Sequence, residues 1–131
     1  MREVWSVLAA DEACDLAMRA PGAGRVAADE VMVIGPIADD IRRAVAKVDP
    51  DALIRDASEG WAEIPVDGED ARHVVARLSE LDLPSTGFVQ GDVARVGVRV
   101  FVWRADSISL FVPAYWEAFL RRRVDEESIR T

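Results

Sequence analysis

The chain is poor in the residues that build metal and covalent chemistry: across 131 positions Cys14 is the one cysteine and His73 the one histidine. One cysteine closes no internal disulfide, and one Cys with one His falls short of a usual zinc ligand set. Basic charge is also in deficit. Lys plus Arg number 16 against 24 Asp plus Glu, a net charge of −8, where a phosphate or nucleic-acid binder would present a basic face. Long hydrophobic runs are missing, the longest being a few residues against the ~20 that span a bilayer. The first ten residues, Met1–Ala10, carry one Arg and are interrupted by Glu3 and Ser6, unlike a basic and apolar leader. These absences predict a soluble, cytoplasmic chain with no metal, no membrane and no nucleic acid.

What is present suffices for a folded domain. Half of the residues are hydrophobic, well above the level at which a chain fails to offset its ordering entropy. At this length a domain buries roughly two-thirds of its unfolded surface, so no disulfide or metal is required. All the basic residues except Lys47 are arginines, scattered without pattern.

Residues 2–19 read two ways. Trp5, Leu8, Ala9, Ala13, Leu16 and Ala17 recur at helical spacing with Ser6 as a cap, while Val4, Ser6 and Leu8 suit a short strand. The breaker cluster Ala20-Pro21-Gly22-Ala23-Gly24-Arg25 reads as a loop, giving residues 1–30 as a poorly defined N-terminal arm. Val31–Ile34 is a buried strand closed by Gly35-Pro36. A helix to about Val48 follows, with Ile37, Ile41, Ala44, Val45 and Val48 on one face. Its early Asp39 and Asp40 and later Lys47 suit the macrodipole. Ala52–Asp56 and Trp61–Val66 are strands, and Pro65 places the second at an edge or a strand end. A helix over Asp70–Leu81 buries Ala71, Val74, Val75, Leu78 and Leu81. Leu83–Gly91 reads as a loop, and Val93–Val98, Val100–Arg104 and Ile108–Val112 as β stretches. A last helix starts near Pro113, and 125–131 is a charged, frayed tail.

The interval from Gly35 to Gly68 also aligns Ala38 with Ala71, Ile41 with Val74, and Val45 with Leu78. Each repeat is an apolar strand, a glycine turn and a helix. Two such units are what a ferredoxin-like β-α-β-β-α-β layer requires, although any helix-on-sheet sandwich produces similar matches. The fold class is α+β, with further C-terminal antiparallel strands and a last helix.

Few residues point to chemistry. Gly22-Ala23-Gly24 lacks the leading strand and third glycine of a dinucleotide turn. Gly35-Pro36 and Gly68-Glu69 lack the Lys-Ser/Thr of a phosphate loop. The pairs Asp39-Asp40, Glu69-Asp70 and Glu126-Glu127 sit at helix starts or in the tail, where solubility and dipole effects explain them. Cys14 lies among Ala13, Leu16 and Ala17 and reads as a small buried hydrophobe; His73 reads as a surface residue. Four tryptophans remain. Trp61 and Trp103 fall in strands, where core is the simpler reading. Tyr115 and Trp116 precede Arg121-Arg122-Arg123, which reads either as a solvated helix end or as a docking surface for an acidic partner.

The segment Arg55-Asp56-Ala57-Ser58-Glu59-Gly60-Trp61 is followed by Ile64-Pro65-Val66-Asp67-Gly68-Glu69-Asp70-Ala71-Arg72 and Leu78-Ser79-Glu80-Leu81-Asp82-Leu83. Further on stand Phe88-Val89-Gln90-Gly91-Asp92-Val93-Ala94-Arg95, Val98–Val102 and Phe111-Val112-Pro113-Ala114-Tyr115-Trp116. In this order the segments resemble the gamma subunit family of heterotetrameric sarcosine oxidase, over residues 31–124. The family belongs to the aminomethyltransferase-like folate-binding group, which includes the T-protein of the glycine cleavage system.

The resemblance implies an aminomethyltransferase-like domain over 31–124. It implies a non-catalytic small subunit that assembles and stabilises a flavin-dependent sarcosine-type amine oxidase. Flavin and NAD are then expected in larger partner subunits, with no catalytic residue in this chain. Trp103, Tyr115, Trp116, Arg121 and Arg122 are the expected partner contacts. The alternative is a freestanding tetrahydrofolate-binding protein of one-carbon metabolism, with a pterin stacked on Trp103 or Trp116 and an arginine holding the glutamyl tail.

Overall fold

The computed structural model describes residues 2–130 and divides them into two units, with the boundary between Glu59 and Gly60. In the first unit, strand β1 (Val4–Leu8), helix α1 (Asp11–Ala17), strands β2 (Ala23–Ala27) and β3 (Glu30–Ile34), helix α2 (Asp39–Val48) and strand β4 (Leu53–Asp56) follow in order. The sheet runs β2-β3-β1-β4, every pairing antiparallel. This β-α-β-β-α-β order with its split pairing is the ferredoxin-like arrangement. It spans 4–56, earlier in the chain than the glycine interval suggests.

The arm expected over 1–30 is therefore corrected: its residues supply two strands and a helix. Both readings of residues 2–19 are realised in succession. Val4–Leu8 alternates as a strand, and Ala13, Cys14 and Ala17 face inward from α1. Ser6 lies within β1 and caps nothing; α1 starts without a side-chain cap. The loop expected at Ala20–Arg25 gives way at Ala23 to β2, whose place is fixed by Gly22 and Arg25. A Cβ on Gly22 would stand 2.3 Å from the Ile34 carbonyl oxygen, while the Ile34 N–H donates to Gly22 O at 2.8 Å. Arg25 donates to Asp15 at 2.8 Å, to Asp11, and to the carbonyls of Ala27 and Ala28. Those bonds tie β2 to α1 and raise the arginine's pKa further.

Val31, Met32, Val33 and Ile34 are all buried, which is why β3 reads as an unbroken apolar run rather than an alternating one. The core of this unit joins Val7, Val31 and Val33 of the sheet to Ala13, Cys14, Ala17, Ile37 and Val45. Beyond β4, Ser58 Oγ accepts the Val4 N–H at 2.9 Å and Asp56 Oδ1 accepts the Ser58 N–H at 2.9 Å. Bonds from Ser58 hold the Asp56 carboxyl below its usual pKa.

The second unit runs β5 (Trp61–Asp67), α3 (Ala71–Leu78), β6 (Gly87–Val93), β7 (Val96–Arg104), β8 (Ser107–Pro113), a single 3-10 turn at Ala114–Trp116, and α4 (Glu117–Arg130). Its sheet order is β5-β8-β7-β6, again antiparallel. Pro65 thus sits in an edge strand, where its missing N–H breaks no ladder. One face carries Ala62, Ile64, Val66, Val98, Val100, Val102, Ile108, Leu110 and Val112. These pack with Val74, Val75 and Leu78 of α3 and Leu120 and Val124 of α4. Each such aliphatic side chain contributes about 1.5–3 kcal/mol on burial.

Three boundaries differ from the sequence reading. Helix α3 ends at Leu78 rather than Leu81, because Ser79 is extended and bridges Val93. The expected loop 83–91 becomes β6 from Gly87, with Leu83 and Pro84 held by Arg72 through their carbonyls at 2.9 and 2.8 Å. The β stretches expected at 93–98 and 100–104 belong to two strands that break at Ala94-Arg95 instead of Arg99. The frayed tail is also corrected, since α4 continues to Arg130 and buries Val124 and Glu127.

Gly35 and Gly68 both adopt positive φ, 95° and 110°, so the strand–glycine–helix echo is real as local geometry. The two occurrences occupy different topological places, Gly35 between β3 and α2 within the first unit and Gly68 between β5 and α3 at the start of the second. Their matching helix faces follow from that local turn.

Gly22→Ala is expected to cost about 1–3 kcal/mol through the clash with Ile34, whereas Gly97→Ala, with open space around its Cβ position, should be neutral or slightly stabilising. Urea denaturation of both variants checks the contrast.

Candidate functional site

The expected contact residues do not form one patch. Trp103 lies at one end of β7, half-buried, stacked on Phe101 at 5.2 Å and 15°. Its Nε1–H donates to Ser109 Oγ at 2.8 Å, and Ser109 donates to Glu63 Oε2 at 2.6 Å. Ser109 is 2% exposed. This relay from β7 through β8 to β5 engages the indole N–H inside its own sheet. Tyr115 and Trp116 follow Pro113, about 13 Å further along β8 from Ser109.

Tyr115 is 82% exposed and Trp116 42%. Trp116 contacts Tyr115 at 5.9 Å and meets Phe119 edge-on at 5.7 Å between centroids. Helical spacing then places Trp116, Phe119 and Arg123 on one face. The arginine run divides around the helix, as three consecutive residues must. Arg121 pairs with Glu117 at 2.9 Å and reaches the Glu63 carbonyl at 3.3 Å. Arg123 stands 3.7 Å from Glu126, and Arg122 is exposed on another side.

A hollow of about 520 Å³ lies beside Trp116, floored by Leu78, Val96 and Phe119 and bordered by Arg77, Arg95 and Arg123. A second, of about 640 Å³, shares Arg77, Leu78 and Arg95 and continues past Leu81, Gly91 and Asp92. A Cβ on Gly91 would meet Leu81 at 2.5 Å, so the bare glycine lets Leu81 lie against β6. Arg95 belongs to the two-residue turn joining β6 to β7, where Ala94 and Arg95 have φ of 50° and 69°. Such turns favour Asn and Gly, so neither residue signals the turn in sequence. The Ala94 N–H donates to Leu78 O at 2.7 Å, anchoring the turn to the end of α3. Arg77 and Arg95 come from segments that sequence spacing does not connect.

The other candidates sit apart from these hollows. Cys14 is fully buried, its Sγ 3.5 Å from Ala9 O, and burial pushes its thiol pKa up. This is an unreactive setting for a thiol. His73 is exposed on α3. Among the described residues no group of three or more His, Cys, Asp and Glu is arranged to hold a metal, and no helix is long and apolar enough to cross a membrane. Arg99 lies over the Trp61 ring at 4.3 Å and Arg42 over Trp5 at 4.8 Å. Several arginines that look scattered in sequence thus cover aromatic rings or hold loop carbonyls.

A scan of protein-family models finds no match to the sequence, and a search of curated proteins finds no significant one. Solved structures do match. A chain of the heterotetrameric sarcosine oxidase from Corynebacterium sp. U-96, in complex with pyrrole 2-carboxylate, superposes with a TM-score of 0.76, covering 95% of this chain and 78% of that one at 11% identity. At that identity the likeness is one of fold, and it places this chain in the α+β class of that oxidase chain.

Ser109→Ala should cost about 1–3 kcal/mol by removing the buried hydroxyl that bridges Trp103 and Glu63, with a shift in tryptophan emission, while Tyr115→Ala stays within about 0.5 kcal/mol. Denaturation followed by fluorescence distinguishes the two.

Proposed function

We propose that this chain is a non-catalytic small subunit of a multisubunit, flavin-dependent amine oxidase of the sarcosine type, serving assembly and stability of the complex. The observation that carries the reading is the fold likeness over 95% of this chain to a chain of a heterotetrameric oxidase. Exposed Tyr115 and Trp116 fit it, because large aromatics left in water are typical anchors of protein interfaces.

In this reading the flavin and the nicotinamide cofactor reside in larger partner chains. This chain supplies contact surface and no reacting group. The buried, raised-pKa thiol of Cys14 and the internally engaged Trp103 agree with such a role.

Affinity purification of the tagged protein from its native cell tests it. Co-elution in fixed stoichiometry with larger chains, carrying flavin absorbance and sarcosine-dependent oxidation, is expected. Elution alone contradicts the reading, and tetrahydrofolate titration against tryptophan emission then examines the folate-binding alternative.

A further inference from the structure

We infer that the groove between the end of α3, the β6–β7 turn and the start of α4 docks an extended acidic segment of a partner polypeptide, with apolar side chains seated on Phe119 and Trp116. The inference rests on the subunit reading for the partner's identity and names the chemistry by which that partner is held.

Charge complementarity carries the argument. In a chain of net charge −8, Arg77, Arg95 and Arg123 converge from three elements on one hollow. Arg77 and Arg95 make no side-chain hydrogen bond or ion pair among the described residues. Arg123 has only Glu126, at 3.7 Å. Guanidinium groups left unpaired around an apolar floor offer the bidentate geometry that carboxylates take.

The shape selects a segment over a compact ligand. The two hollows, about 640 and 520 Å³, adjoin through Arg77, Leu78 and Arg95, which line both. A strand-like peptide would cross the shared arginines and drop side chains to either side. A membrane or nucleic acid is disfavoured by the surrounding acidic chain, and Glu80 and Asp92 in the larger hollow confine the cationic stretch to the smaller one.

The β6–β7 turn fixes the place of Arg95. Ala94 and Arg95 both hold positive φ, 50° and 69°, a conformation that glycine or asparagine adopts at lower cost. The two-residue hairpin requires positive φ at both positions. Arg95 projects from that turn to the border of both hollows.

The test uses the full chain and a fluorescein-labelled twelve-residue peptide alternating Glu with Leu and Phe, read by anisotropy. Control peptides carry Lys for Glu, or Ser for the apolar residues; phosphatidylserine vesicles and inorganic phosphate complete the set. Binding of the acidic–apolar peptide alone is expected, weakened at least tenfold in Arg77→Glu and in Arg95→Gly. Arg95→Gly should unfold at the same or a higher denaturant concentration than the parent, so a loss of binding there is not a loss of fold.

Equal binding of either control peptide, arginine-dependent binding of vesicles, displacement by phosphate, or unchanged affinity in Arg95→Gly overturns the inference. A benzophenone amino acid at position 115 in the purified complex separates the two proposals. Cross-links to an acidic segment of a larger subunit support the groove. An intact complex cross-linked elsewhere overturns the groove and leaves the subunit reading standing. A chain that binds the peptide but never co-purifies with larger subunits overturns the subunit reading alone.

Discussion

The pairing of one central strand with neighbours on both sides organises each unit. In the second unit β8 lies between β5 and β7, and its alternation settles what each face can be. Ile108, Leu110 and Val112 turn to the helices, so Ser109 and Phe111 must take the other face. A serine there is 2% exposed and needs polar partners, which Trp103 and Glu63 supply across the two adjacent strands. A slip of one residue in β8 would exchange these sets and bury polar groups against α3 and α4. In the first unit β1 has the same position between β3 and β4, and without residues 4–8 β4 would lose its partner and β3 would keep only β2.

That dependence explains what could be read from the sequence. β3, α2 and the starts of β5 and α3 are bounded by strong local punctuation, Gly35-Pro36, Asp49-Pro50 and Gly68, and their apolar periods are unambiguous. Pro65 alone marks β5 as an edge. In the N-terminal stretch, small residues satisfy both periods at once, and the glycines at 22 and 24 resemble a linker. Gly22 is needed there for close approach to Ile34, a constraint between distant residues that composition does not display. The β6–β7 turn was equally silent, since Ala94-Arg95 adopts a glycine-like conformation without glycine. In α4 the apolar Leu120 and Val124 are legible as an inward stripe, whereas the charge of Glu127 hides its place beside them.

The site was legible only in part for the same reason. Trp116 and the neighbouring arginine run stand out in sequence, but Arg121 is engaged with Glu117 and Arg122 points away from the groove face. Trp103 is committed to the relay through Ser109. The arginines that join Trp116 are Arg77 and Arg95, brought close by the Ala94–Leu78 hydrogen bond and the Ser79–Val93 bridge. Of the expected contacts, Trp116 lines the groove and Tyr115 lies against its ring.

The fold, similar to that of a chain of a heterotetrameric oxidase, leaves an arginine-bordered aromatic groove, which we propose is where a larger partner docks. Hydrogen–deuterium exchange on the free chain and on the purified complex addresses that claim directly. The account predicts slowed exchange in the complex at the Ala94-Arg95 turn, at Ala114–Trp116 and along the first turns of α4. Identical exchange in these segments, with protection confined to other surfaces or absent, would contradict it.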